Sequence, residues 1–365
     1  MDVAERIRTT SSASELSGDA GRLATLSPAG SRHGRERMVL NLFFEERDDR
    51  WFPGDRHVRP LLRRLLYGKA RMSGQHRVFL NLCAGLDRLA IRYRVNDYGH
   101  IQKHPEELAC IIGRPFVLDW IEWKNPILLG VAAFNHPIDA PDLFQRLPVR
   151  TVLVPSTWYA DMCRPGWPKI EVWPIGIDTD AWKPSSPEQK TTDVLLYDKV
   201  QWQRERHSVE LVAQIRSHLA ANGHSVEELR YGSYEESDYR RALSRCRAMI
   251  FLCQHESQGI AYQEALASGV PVFAWDGGGA WQDPDYFPHR VTFEGVSSVP
   301  YFDARCGMKF IDADSFKSSW SAFWERAAAD GFSPRDYVMD NLALEQQALR
   351  YYEIAESLVQ QRPNS

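Results

Sequence analysis

The chain has 365 residues, more than one hydrophobic core usually serves, so two domains are expected. An apolar share of 44% is that of a globular protein, and a net charge of −4 points away from a bulk polyanion, so no nucleic-acid partner is expected. The six cysteines (Cys83, Cys110, Cys163, Cys246, Cys253 and Cys306) have no Cys-x-x-Cys spacing, and several stand in apolar runs. They read as reduced, buried thiols of a cytoplasmic protein rather than a disulfide frame or a zinc site.

Residues 1–37 lack the apolar core of a signal peptide, and their Ser, Gly, Ala and Arg content predicts a mobile tail. Order is expected from Met38, where MVLNLFF reads as a buried strand. From Arg56 to Arg77 every charge is positive and leucines interleave. That stretch suits either a peripheral contact with the inner membrane face or a solvated loop over a packed leucine stripe. No apolar run reaches the ~18 residues of a membrane span. A helix follows in VFLNLCAGLDRLAI, then a strand in YRVND. HPEELACIIG reads as a helix from Pro105 to Gly113. PFVLDW and PILLGVAAF read as strands, DAPDLFQRL as a short helix, TVLVP as a strand and TWYADMC as a helix. These would complete a first domain, 38–168.

Residues 169–191 are rich in Pro, Ser and Thr and read as a linker. A second domain, 192–335, then alternates again. DVLLYDK, ELRYGS, AMIFLC and PVFAW are its expected strands, and the segments between them its helices. From about Asp312 the pattern is helical, and residues 336–365 form a last helix expected to cross back to the first domain. Strand–helix alternation repeated in both halves predicts two parallel sheets, each covered on both faces.

One stretch stands out chemically. HESQGIAYQEALASGVPVFAW places Glu256 and Glu264 with seven residues between them, on either side of Gly259 at an expected helix start. Backbone N–H groups at such an end bind phosphate, and glycine lets a ligand approach the backbone. A carboxylate accepts two hydroxyls at once, so the pair suits a ribose and a sugar ring. A capping carboxylate and a solvated helix residue are the plainer alternative.

This stretch resembles the retaining GT-B glycosyltransferases of the large group that contains sucrose synthase and bacterial mannosyltransferases. That group carries Glu, seven residues, then Glu-Ala-x-Ala-x-Gly-x-Pro-Val. Here the match runs from Glu256 through Glu264-Ala265-Leu266-Ala267-Ser268-Gly269-Val270-Pro271-Val272, with Asp276-Gly277-Gly278-Gly279 beyond it. The usual Phe-Gly-Leu is Gln258-Gly259-Ile260. In YDKVQWQRE, Lys199 and Arg204 keep the family's five-residue spacing of two cations with their identities exchanged. VWPIGIDTDAWKP is similar to the family's linker pattern, with Ile175 in place of Asn. Asp178-Thr179-Asp180 then belongs to the linker and not to a metal site. SGQHRVFLNLCAGLDRLAIRYRV fits the family's first glycine turn at Gly74, and His136 matches its mid-domain histidine.

The resemblance implies a fold of two Rossmann-like, doubly wound halves facing a central cleft. It implies a metal-independent hexosyltransferase using a nucleotide diphosphate sugar, UDP- or GDP-linked, and a glycan, lipid-linked or small-molecule acceptor. Lys199, Arg204 and the amides of Gly259, Ile260 and Ala261 would hold the diphosphate, with Gly74 at the cleft. Glu264 would hold the ribose. Glu256 and His136 would act at the sugar, and cleft closure would bring His136 to it. A nucleotide-sugar epimerase and a non-catalytic nucleotide-sugar binder remain the alternatives.

Overall fold

The computed structural model describes residues 37–45, 74–131 and 133–360. The expected tail, apart from Arg37, and the basic stretch as far as residue 73 lie outside the described residues. Two all-parallel sheets are present. The first holds β1 (Leu40–Phe43), β2 (Tyr93–Val95), β3 (Ala109–Ile111), β4 (Ile127–Leu129), β5 (Val149–Val154) and β6 (Ile170–Val172) in the order β2-β1-β3-β4-β5-β6. The second holds β7 (Thr192–Asp198), β8 (Val226–Arg230), β9 (Cys246–Leu252), β10 (Val272–Trp275) and β11 (Gly307–Phe310) in the order β11-β10-β9-β7-β8. Read from β8, the second sheet repeats the order of the first five strands. In each, the chain leaves its first strand in both directions, and the crevices for a ligand open beside β1/β3 and β7/β9.

The strands form because their side chains feed two apolar layers at once. Leu40 and Leu42 enter one layer and Phe43 the opposite one. Val194 and Leu196 face one side of the second sheet, Leu195 and Tyr197 the other. A strand buried on both faces is apolar throughout, so it lacks the alternation of a half-exposed strand.

That property explains the departures from the sequence reading. HPEELACIIG is not a helix: it is a turn followed by β3, whose residues are all buried. PFVLDW is not a strand but the single 3₁₀ turn Pro115–Asp119, with Pro115 in its first turn. A three-residue apolar run carries no period, so it fits either element. The linker stretch begins with an edge strand, β6, paired to β5. β11 was not anticipated.

Both sheets belong to one compact unit that starts at Met38. Helix Leu344–Gln360 lies against helix Gly74–Arg88, and its Ala348, Tyr351 and Ile354 share a core layer with Leu82 and Leu86. A Cβ on Gly85 would stand 2.6 Å from that of Ala348, so only glycine permits this approach. Trp173 Nε1 also donates to the Gln347 carbonyl at 2.9 Å. A second crossing lies between β10 and β11, where Trp281, Tyr286, Val291 and Val296 enter the core of the first half. Among the described residues, no helix is long and apolar enough to cross a membrane.

Candidate active site

A cavity of about 620 Å³ lies at the carboxyl ends of both sheets. β7 ends at Asp198 and delivers Lys199 to it. β9 ends at Leu252 and is followed by the loop carrying Glu256. The cavity therefore sits at the β7/β9 crevice, where the topology places ligands. The first half contributes Gly74, Arg77 and Val78 from one helix, and Val131, Pro155 and Ile175 from beyond β4, β5 and β6.

Lys199 Nζ is ion-paired with Glu256 inside this cavity. Its ammonium also lies 4.5 Å from the centre of the Tyr231 ring, a favourable cation–π arrangement. Burial, the largest single influence, would lower the lysine pKa; its neighbours, Glu256 foremost, together outweigh it, and the net shift is upward, so Lys199 stays cationic. The backbone of Glu256 is fixed from both halves. Its N–H donates to the Ser297 carbonyl at 2.9 Å, and its carbonyl accepts from Trp158 Nε1 at 3.0 Å. Gln258 ties the same loop to the interdomain segment by accepting from Ile175 N–H at 3.1 Å.

Helix Ile260–Ala267 starts at Gly259, whose φ is +84°. A Cβ there would stand 2.0 Å from the Tyr262 ring, so glycine is required on two counts. Gly259, Ile260 and Ala261 all line the cavity, and a helix's first amides have no intrahelical acceptor. Glu264 stands one turn in and is buried. Arg77 reaches it from the first half at 3.2 Å and also pairs with Glu236, which Arg240 holds at 2.7 Å. Burial pushes the Glu264 carboxyl up to about 8, and Arg77 opposes that shift without cancelling it.

Lys199, Glu256, Gly259, Ile260, Ala261, Glu264 and Gly74 thus meet at one cavity. Two expected site residues do not. Arg204 is not among the residues lining the cavity; its guanidinium forms a fork-to-fork pair with Asp198 and also donates to the Val200 carbonyl at 3.2 Å. His136 is also absent from the lining. Its Nδ1 accepts from Ile138 N–H at 3.1 Å, and its ring stacks on Trp281 at 6.0 Å. Burial first, and Arg290 in addition, lower its pKa against the pull of Asp139, so its Nδ1 serves as a neutral backbone cap. Gly74 is the first described residue of the helix Gly74–Arg88.

Sequence reasoning passed over Arg77, Tyr231 and Tyr234, which line the cavity. Arg77 had a signal, three residues beyond Gly74. The tyrosines follow β8 in YGSY, and their position at a strand's carboxyl end was the only cue. Asp178 is held as a turn: it accepts from the N–H groups of Asp180 and Ala181, both at 3.0 Å, and from Arg88 at 2.8 Å. All six cysteines are unpaired, five of them buried.

No protein-family model matches the chain, and no curated protein matches it in sequence. Among solved structures it is similar to AviGT4, a glycosyltransferase involved in avilamycin A biosynthesis. The identity is 14% and the TM-score 0.53, over 80% of this chain and 91% of that one. WaaB, a lipopolysaccharide outer core galactosyltransferase solved in its apo form, overlays at 9% identity over 87% of this chain and all of that one, but its TM-score of 0.48 adds no argument. At such identities the likeness speaks for the fold and not for the activity. Two parallel sheets of the same doubly wound order, set about one cavity, give this chain the GT-B fold.

Proposed function

We propose that the protein is a glycosyltransferase that takes a sugar from a nucleotide diphosphate donor bound at the β7/β9 crevice. One observation carries this reading. A cation, two carboxylates and a helix N-terminus, brought from two chain segments, line a single cavity of donor size. AviGT4, the similar structure with the same fold, is described as a glycosyltransferase. In this reading the ribose hydroxyls donate to Glu264, and the diphosphate takes the amides of Gly259 to Ala261. Lys199 neutralises the charge that grows on the leaving diphosphate. Glu256, fixed through its backbone and paired with Lys199, accepts hydroxyls of the transferred sugar.

The transfer proceeds with retention. The C1–O bond to the diphosphate breaks, its electron pair leaves with the phosphate, and the acceptor oxygen bonds C1 on the same face. The acceptor proton passes to the departing phosphate oxygen, so neither glutamate forms a covalent glycosyl ester, unlike the carboxylate nucleophile of retaining glycosidases. The acceptor is a hydroxyl of a glycan, a lipid-linked saccharide or a small molecule, and no step requires a metal. His136 has no chemical part in it.

The test is a panel of UDP-, GDP- and ADP-sugars with alcohol and glycan acceptors. Nucleotide diphosphate release would be followed, and the product anomer read by NMR. Acceptor-dependent release with an unchanged anomeric configuration is expected. Epimerised donor without transfer, or no release from any donor, contradicts the proposal. An inverted product contradicts its stereochemistry.

A further inference from the structure

Arg204, expected as the second cation of the donor crevice, is committed to Asp198 and is not among the described residues that line it. Among the described residues that line the cavity, Lys199 and Arg77 are the cations. Arg77 comes from the opposite half and meets Glu264, the carboxylate proposed to hold the ribose. Arg77 thereby holds one oxygen of that carboxylate. A ribose that takes up Glu264 competes with Arg77, whose half-buried guanidinium is then held by Glu236 alone and has donors to spare for an anion.

The geometry points to a partner exchange, and we infer that Arg77 is a donor-binding residue recruited by the diphosphate. On binding, Arg77 leaves Glu264 for phosphate oxygens, and Glu264 turns to the ribose hydroxyls. Every group left behind keeps a partner. Glu236, the other acid held by Arg77, retains Arg240 at 2.7 Å, and Arg240 is itself stacked 3.7 Å from the centre of the Trp182 ring. The guanidinium fork matches phosphate oxygens in a way an ammonium does not. Because Arg77 and Glu264 stand on different halves, the exchange makes the diphosphate, and not the nucleoside, the part of the donor that both halves grip. This inference rests on the nucleotide diphosphate reading above.

The experiment titrates the full chain with UDP, GDP and ADP, and separately with uridine, guanosine and adenosine, by calorimetry. Wild type, Arg77→Gln, Arg77→Lys and Arg204→Gln are compared, with melting curves to show that each folds. For the diphosphate that wild type binds, Arg77→Gln is expected to lose about ten- to a hundredfold in affinity. Arg77→Lys should recover part of that loss, and Arg204→Gln should stay within about twofold of wild type. Affinity for the matching nucleoside should not fall in Arg77→Gln; a merely structural role would lower both ligands together. Equal loss for nucleoside and diphosphate, or diphosphate binding unchanged in Arg77→Gln and Arg77→Lys, overturns the inference while the donor reading stands. If wild type binds no nucleoside diphosphate, the donor reading itself fails and the exchange with it.

Discussion

The two halves share a strand order but end their first strands differently. In the first half, the residue after β1 is sealed into the fold. Phe44 gives its N–H to Asn96 Oδ1 at 2.9 Å, its carbonyl accepts from Asn96 Nδ2 at 2.8 Å, and its ring stacks on Phe79 at 4.8 Å. In the second half, the residue after β7 is Lys199, which faces Glu256 across a cavity. One doubly wound topology thus produces a packed corner in one place and a charged crevice in the other. The fold supplies the crevice; the residues at the strand ends decide whether it has chemistry.

The sharpest way to break this comparison is to remove the charge at the second corner. Lys199→Ala should keep the fold and lower the transfer rate by about a hundred- to thousandfold, since it strips the cation from the leaving diphosphate. Activity within a few fold of wild type would mean that the crevice is decoration. Gly259→Ala comes next. A side chain at φ +84°, pressed into the Tyr262 ring, should cost about 1–3 kcal/mol, read by urea unfolding, and should weaken nucleotide binding as well. At the first corner, Asn96→Ala removes two backbone hydrogen bonds and should cost about 1–3 kcal/mol of stability. Its nucleotide affinity, measured at a temperature where it is folded, should equal that of wild type.

The smallest effect sharpens the comparison through pH. Burial holds the folded Glu264 carboxyl at about 8, well above an unfolded glutamate. The stability tied to its protonated form is present at acid pH and is lost as pH rises towards 8. Glu264→Gln should therefore melt higher than wild type by roughly 3 °C at pH 8.5, and that advantage should shrink at pH 5. Above pH 8 the same variant should bind nucleotide diphosphate more weakly than wild type, because a carboxamide offers the ribose hydroxyls one neutral acceptor oxygen where a carboxylate offers two charged ones. A melting difference that does not change with pH would show that Glu264 does not titrate in this range.

The contrast between the halves also governs how much could be read in advance. β7 and β9 are seven residues each, and the Glu256–Val272 spacing is long enough to be specific, so the second crevice was legible. β2, β3, β4 and β6 are three residues each, too short for a period, and two segments around them were misassigned. Arg204 was read as a clamp because spacing gives no direction. Its neighbour Asp198, one strand-end away, takes the guanidinium first. His136 was placed by order along the chain, whereas it makes a local cap at Ile138 and its stack on Trp281 depends on a segment more than a hundred residues later. Arg77 was hidden for the same reason: its partners, Glu236 and Glu264, are contributed by the other half.

The most direct measurement of the central claim is a calorimetric titration of UDP, GDP and ADP into the full chain, with Lys199→Ala and Asn96→Ala beside it. The account predicts that one nucleoside diphosphate binds wild type and Asn96→Ala with the same affinity, and that Lys199→Ala loses it. No binding to wild type, or undiminished binding to Lys199→Ala, would contradict a donor site at the β7/β9 crevice.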